Sequence, residues 1–175
     1  EADEIVFHMS AVAKGYGVDQ VANLLEMLAL PDYLVEVGGE MRVSGTNPNG
    51  QPWKVAVELP ALMPQVQRVI AAHNAGIATS GDYRNYFEQD GVRYSHTIDP
   101  RTGRPITHGL ASVTVVAETC AEADGWATAL MVLGEEQGML LADQQGLAVY
   151  MLVKEGDNFK AVNSEAFAPY LVEKL

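Results

Sequence analysis

The turn signals of this sequence constrain its fold most strongly, and the clearest of them is Asp90-Gly91. An Asp-Gly pair accepts the positive φ angles of a two-residue hairpin turn, so it predicts a β-hairpin from residues 83–89 and 92–98. Asn47-Pro48-Asn49-Gly50 is turn chemistry between two further strand-like segments. Because strands joined by short connections pair antiparallel, we predict an α+β fold in which antiparallel sheets carry helices packed on one face.

The other elements follow from hydrophobic period and from cap residues. Thr119 and Glu122 have the spacing of a capping box, which predicts that a helix begins there. Three further helices are predicted: one that begins near Val18, one over residues 65–72, and one over residues 135–145 that ends at Gly146. Residues 33–43 are predicted as either two strands or one bulged strand, interrupted by Gly38-Gly39. The further predicted strands are residues 5–9, 53–59, 75–80, 111–117, 147–153 and 158–162.

Composition bounds the class of protein. The chain has 175 residues, of which 48% are hydrophobic, and no compositional break, so we predict one domain over residues 1–175. The 11 Lys and Arg against 23 Asp and Glu give a net charge of −12, which disfavours nonspecific binding to nucleic acid or an anionic membrane. An anionic ligand would therefore need a local device, such as a helix N-terminus or a bound cation. The single cysteine, Cys120, excludes an intramolecular disulfide.

The segment from Arg93 to Gly109 concentrates polar and turn-forming residues where a core would need apolar ones. His96 and His108 bracket it, and Asp99-Pro100 starts a turn within it. One interpretation is a functional site on an ordered loop. The other is a long hairpin connection with a solvated basic rim.

Small residues precede the first predicted helix, from Ser10 to Gly17. They would let a ligand approach the helix N-terminus, where amide groups favour a phosphate. They would equally permit tight helix packing, since the segment is neither a Walker loop nor a dinucleotide fingerprint.

Asp124 and Thr128 stand four residues apart, so their oxygens project from one face of the predicted helix near its positive end. The neighbouring side chains are small or apolar, which makes Asp124 a candidate buried carboxylate that would need a partner. The alternative is a solvent-facing aspartate favoured by the helix dipole.

Five segments occur in this order along the chain: S-A-V-A-K-G-Y-G-V-D (10–19), Y-L-V-E-V-G-G-E (33–40), T-S-G-D-Y-R-N-Y-F (79–87), S-H-T-I-D-P-R-T-G-R-P (95–105) and E-A-D-G-W-A-T-A-L-M-V-L-G (122–134). Together with G-L-A-V-Y-M (146–151), they resemble the C-terminal half of the FAD:protein FMN transferases, the ApbE-like flavin transferases. The N-terminal half of that family, which supplies isoalloxazine contacts, is absent from this chain. We therefore expect a fragment, a processed product or one of two chains.

The resemblance implies an enzyme that cuts FAD at its pyrophosphate, releases AMP and attaches FMN to a threonine hydroxyl of a target flavoprotein, with Mg²⁺ required. The implied acceptor is a threonine-containing flavoprotein of the redox-pump subunit type. Two alternatives remain open: a Mg²⁺-dependent FAD pyrophosphatase that gives FMN and AMP, and a flavin-binding module without turnover. The resemblance also implies a periplasmic lipoprotein anchored to the inner membrane, with the lipid anchor outside this chain.

The resemblance assigns a cation site to three residues of this chain. The Asp124 carboxylate, the Thr128 hydroxyl and the backbone carbonyl of Ala11 match the family's Mg²⁺ ligands, and oxygen ligands suit that ion. Some members have a further metal-site aspartate where Ala127 stands here, so the affinity for metal could differ.

The same resemblance assigns the flavin-nucleotide contacts to His8, Lys14 and Ile98. The family usually has an aspartate where His8 stands, so the contact assigned to His8 departs from the family pattern. His96 is the candidate acid/base group, which would accept the target threonine's proton or orient a phosphate. Its alternative role is to pin the Asp99 turn.

Overall fold

A computed structural model describes residues 9–59, 66–81, 86–89, 92–156 and 158–172, with the backbone alone at 86–89 and 92–94. The helices are α1 (Ala13–Met27), α2 (Cys120–Leu133) and α3 (Glu135–Gln145), with 3₁₀ helices at Met9–Ala11 and Glu165–Tyr170. The strands are β1 (Tyr33–Val37), β2 (Glu40–Ser44), β3 (Trp53–Glu58), β4 (Val66–Ala72), β5 (Ala75–Gly81), β6 (Tyr86–Gln89), β7 (Val92–Ser95), β8 (Ile98–Asp99), β9 (Arg104–Pro105), β10 (Leu110–Ala117), β11 (Ala148–Glu155) and β12 (Asn158–Asn163).

A six-stranded antiparallel sheet in the order β1-β2-β5-β10-β11-β12 is the centre of the fold. On one face, α2 packs against β5 and β10, α1 packs against β1 and β2, and α3 packs against β11. The other face is covered by the β3–β4 hairpin and the second 3₁₀ helix. The ring centroids of Phe167, on that helix, and Tyr150 lie 5.4 Å apart. The predicted α+β fold, with antiparallel strands and helices on one face, is confirmed.

Local turn and cap chemistry is confirmed at several of the predicted positions. Gln89 pairs with Val92, so two residues connect β6 and β7, as the Asp-Gly pair predicts. The hydroxyl of Thr119 accepts the N–H of Glu122 at 3.2 Å, and α2 begins directly after it. Gly146 ends α3 in the left-handed conformation, with φ +66°. Of the two forms open for residues 33–43, the structure has two strands.

Of the predicted helix over residues 65–72, residue 65 lies outside the described residues and residues 66–72 are not helical. Val66–Ala72 is instead β4, which pairs with β3 and places Ile70 and Ala72 in the core. The β-branched residues at 66, 69 and 70 fit a strand. Pairing with β3 outweighs the local helical pattern.

Two other predicted strands differ from the structure. The predicted strand 92–98 is interrupted, because β7 ends at Ser95 and Ile98 belongs to β8, which pairs with β9. Of the predicted strand 5–9, residues 5–8 lie outside the described residues, and Met9 is in the first 3₁₀ helix.

Candidate active site

Helices α1 and α2 cross in very close contact at Gly15. A Cβ atom at Gly15 would lie 2.4 Å from the carbonyl oxygen of Cys120, so only glycine permits this approach. The N–H of Gly15 donates to Oδ2 of Asp124 at 3.0 Å. Tight packing, one of the two interpretations of the small-residue segment, is therefore confirmed at Gly15.

Asp19 occupies the N-terminus of α2 from the neighbouring helix. Its Oδ1 accepts the N–H of Cys120 at 2.9 Å, and its Oδ2 accepts the N–H of Ala121 at 2.8 Å. The guanidinium of Arg42, on β2, donates to the same carboxylate at 2.9 Å. A carboxylate at a helix N-terminus is favoured by the helix dipole, so this contact fixes α1, α2 and β2 relative to one another.

Asp124 is a buried carboxylate. It is 5% exposed, so the buried interpretation is confirmed and the solvent-facing one is wrong. Burial raises the pKa of Asp124, while the Gly15 N–H and the charge of Lys14 oppose that rise. Within the described part of the chain Asp124 forms no ion pair, so its burial is only partly offset.

The other two predicted cation ligands lie on elements next to Asp124. Thr128 follows it by four residues on α2 and is partly buried. Ala11 is in the 3₁₀ helix Met9–Ala11, which contacts α2. A Cβ atom at Gly125 would lie 3.2 Å from the side chain of Val12, so the segment after Ala11 approaches α2 closely.

Lys14 forms an ion pair that the sequence did not reveal. Its ammonium contacts Oε1 of Glu40 at the start of β2, and the Glu40 side chain is 2% exposed. Burial raises the pKa of Glu40, and the hydrogen bond and charge of Lys14 oppose that rise. The signal in the sequence is a glutamate directly after Gly38-Gly39, but nothing local links it to a lysine 26 positions away.

These helices and their buried carboxylates can be compared with known proteins. A model described as the ApbE family matches residues 2–151 of the chain. The chain belongs to the ApbE family. This confirms the family predicted from the sequence segments.

Relatives of the chain carry one activity in their names. The FAD:protein FMN transferase of Vibrio cholerae serotype O1 is 52% identical over 169 residues, which cover 96% of this chain and 51% of that protein. That of Klebsiella pneumoniae is 49% identical and covers 97% of this chain and 49% of that protein. The chain thus spans about half the length of the curated relatives it matches.

Solved structures of the ApbE family share the fold. The flavin transferase ApbE from Vibrio cholerae has a TM-score of 0.85 at 48% identity, over 96% of this chain and 53% of that one. The apo form of the Pseudomonas stutzeri flavinyl transferase ApbE has a TM-score of 0.84 at 43% identity, over 97% of this chain and 52% of that one.

The predicted loop residues of this ApbE-family chain lie on the segment that follows β7. His96 is exposed, and Ile98 is 48% exposed on β8. The side chain of Arg101 hydrogen-bonds Asp99 within the turn, and its N–H donates to the same carboxylate, so the pKa of Asp99 is lowered. The roles assigned to His96 and Ile98 stay predictions, and His8 lies outside the described residues.

His108, the second histidine of the loop, packs against the backbone at Gly134. A Cβ atom at Gly134, between α2 and α3, would lie 2.9 Å from its imidazole ring. Both ring nitrogens are buried without a hydrogen-bond partner among the described residues. Its place is against the backbone at the start of α3.

The described part of this ApbE-family chain lacks a cluster of metal-binding side chains and a membrane-spanning helix. Among the residues that the structure describes, no three His, Cys, Asp or Glu side chains form a group that could hold a metal ion. The predicted cation site contains one such side chain, so it falls outside that pattern. No described helix is long and apolar enough to cross a membrane.

Cys120 is expected to resist alkylation in the native protein. Its thiol is buried near Asp19, Glu40 and Asp124, and burial followed by these negative charges raises its pKa to about 12. At pH 8 its thiolate fraction is then about 10⁻⁴. We expect iodoacetamide to react at least about a hundredfold more slowly than in urea, as measured by mass spectrometry. A Glu136→Cys variant supplies a matched exposed thiol, and equal labelling of both thiols would contradict the prediction.

Proposed function

We propose that the protein containing this chain transfers FMN from FAD to a threonine hydroxyl of a target flavoprotein, in a Mg²⁺-dependent reaction that releases AMP. The observation that carries the proposal is the buried Asp124 carboxylate, which accepts one N–H, has no ion pair among the described residues and lies beside the Ala11 segment. The names of the relatives support flavin transfer as the reaction. The Mg²⁺ requirement, the threonine acceptor and the release of AMP are the finer parts of the proposal.

The residues around Asp124 fit a divalent cation with oxygen ligands. A buried carboxylate that lacks a cationic partner is costly, and a bound cation would remove that cost. The carboxylate of Asp124, the hydroxyl of Thr128 and the carbonyl of Ala11 would hold Mg²⁺, which prefers such oxygens and keeps several waters. When bound, it would neutralise charge on the pyrophosphate, which the acidic chain cannot do by net charge.

Lys14 would contact the nucleotide. Its side chain is 49% exposed, and its ammonium pairs with buried Glu40. A phosphate oxygen could accept a hydrogen bond from that ammonium. Ile98 and His8 complete the proposed flavin-nucleotide contacts.

His96 is proposed to move the proton of the reaction. The imidazole would accept the proton of the threonine hydroxyl as the threonine oxygen bonds to the FMN phosphorus. The bond from that phosphorus to the bridging oxygen breaks, and AMP leaves with the oxygen. In-line placement of the two oxygens is the main requirement for such a transfer.

The test uses the complete natural protein that contains these residues, with FAD, Mg²⁺ and an acceptor domain that carries the target threonine. Mass spectrometry is expected to show that the acceptor gains one FMN, and chromatography is expected to show an equal amount of AMP. Both products should disappear when EDTA replaces Mg²⁺. His96→Ala is expected to slow the transfer by about 10²–10⁴-fold with little change in FAD affinity, whereas His73→Ala, at an exposed position in the β4–β5 turn, should not.

Each other outcome selects a different function. AMP and free FMN without a modified acceptor would indicate the pyrophosphatase. FAD binding without AMP would indicate the flavin-binding module. The proposal includes a periplasmic location with a lipid anchor, and cell fractionation of the tagged protein tests that part separately.

A further inference from the structure

Two buried carboxylates share one ammonium group in this structure. Glu40 and Asp124 are 2% and 5% exposed, and Lys14 lies within electrostatic reach of both. The ammonium contacts Glu40, and no ion pair joins it to Asp124 in the described part of the chain. The surroundings of the two carboxylates explain why the ammonium pairs with Glu40 and not with Asp124.

The local backbone places Glu40 to take the ammonium. Gly38 and Gly39 have φ angles of +61° and +97°, and the N–H of Gly39 donates to Glu36 at 2.7 Å. This turn sets Glu40 at the first position of β2, where the strand buries it. Glycine accepts these positive φ angles without strain, so the direction of Glu40 is built into the turn.

The ammonium of Lys14 also compensates the buried charge of Glu40. Its Oε2 is buried and has no hydrogen-bond partner, and Lys14 is its only side-chain donor among the described residues. Asp124 receives the N–H of Gly15, which belongs to another helix. An uncompensated buried charge is costly, so Lys14 pairs with Glu40, whose Oε2 lacks a hydrogen-bond partner among the described residues.

We propose that Glu40 is a positioning residue that holds the ammonium of Lys14 and thereby keeps the carboxylate of Asp124 open for the divalent cation. The inference rests on the cation site of the proposed function. Without Glu40, Asp124 is a buried carboxylate whose charge still interacts with Lys14, and an ammonium paired there would compete directly with a metal ion. Glu40 thus acts on the cation through Lys14 and does not need to touch it.

The test measures binding of Mn²⁺ alone to the complete natural protein, without flavin. Free Mn²⁺ is counted by electron paramagnetic resonance, and Mg²⁺ is used as competitor, since both ions accept oxygen ligands. Glu40→Gln keeps the shape of the side chain and is expected to weaken Mn²⁺ binding by about tenfold, because Lys14 turns to Asp124. Lys14→Met is not expected to weaken it.

The double variant Lys14→Met/Glu40→Gln separates positioning from a merely structural role. With no ammonium to compete for Asp124, its affinity for Mn²⁺ is expected to return to within about twofold of the unmodified protein. Glu136→Gln and Lys54→Met are matched controls at exposed positions, and neither should change the affinity. Circular dichroism verifies folding, and Glu40→Asp, with an expected intermediate affinity, replaces Glu40→Gln if the latter does not fold.

Three outcomes would overturn the inference: unchanged affinity in Glu40→Gln, weakening that persists in the double variant, or no binding of Mn²⁺ to the unmodified protein. Absence of FMN transfer in the assay above, together with the expected pattern of Mn²⁺ affinities, would reject the proposed function and leave the role of Glu40 intact. The two failures are therefore distinguishable.

Discussion

Gly76→Ala is expected to destabilise the protein by about 3 kcal/mol or more. Gly76 is on β5 beneath the start of α2, and a Cβ atom there would lie 2.2 Å from the carbonyl carbon of Thr119 and 2.3 Å from the nitrogen of Cys120. These are backbone atoms, so no side chain can turn aside. The N-terminus of α2 would have to move from β5, which also disturbs the Asp19 contacts. Urea unfolding followed by circular dichroism measures the effect.

A second glycine gives the matched control for that measurement. A Cβ atom at Gly17, in the middle of α1, would meet nothing within 4 Å. Gly17→Ala is therefore expected to stabilise the protein by roughly 0.5–1 kcal/mol through helix propensity. Equal unfolding midpoints for the two variants would show that the approach of β5 to α2 is looser than described.

Asp124→Asn is expected to remove the dependence of FMN transfer on Mg²⁺ and to lower the transfer rate by more than about a hundredfold. Mutating residues that only hydrogen-bond to metal ligands already lowers activity by up to about a hundredfold. Asparagine keeps an oxygen for the N–H of Gly15, so the helix contact survives while the charge is lost. Stability should not fall, because the buried charge itself is costly. Mass spectrometry of the acceptor and Mn²⁺ binding are measured on the same sample.

Asp143→Asn is the control for this prediction, because Asp143 is exposed on α3. It should leave both transfer and Mn²⁺ binding unchanged. An Asp124→Asn variant that transfers FMN at an undiminished rate would remove Asp124 from the cation site. Loss of Mn²⁺ binding with preserved transfer would show that the cation is not required.

Sequence reasoning succeeded where structure depends on a few neighbouring residues. The Thr119 cap, the end of α3 at Gly146 and the β6–β7 hairpin each rest on side chains within about four positions of one another. The predicted helix over residues 65–72 failed because the deciding contact is pairing with β3. A local pattern of seven or eight residues does not contain that partner.

The charge pairs around the candidate site were not predictable from the sequence. Helical spacing alone left Asp124 either buried or exposed, since the deciding neighbour is Gly15, 109 positions away. The pairing of Lys14 with Glu40 and the capping of α2 by Asp19 are likewise contacts between distant segments. Resemblance to a family supplied the proposed cation ligands, and the structure shows that one of them, Asp124, is buried against Gly15.

The cap that Asp19 places on α2 makes the candidate site depend on long-range contacts. The carboxylate and the amide that it accepts are 101 positions apart, and this contact lies beside the one between Gly15 and Asp124. Closing a loop of that size costs conformational entropy, so we expect the unfolded chain to lack a preformed candidate site. A cation that binds there would select molecules in which the segments around Asp19 and Cys120 have come together, so its affinity would report on folding.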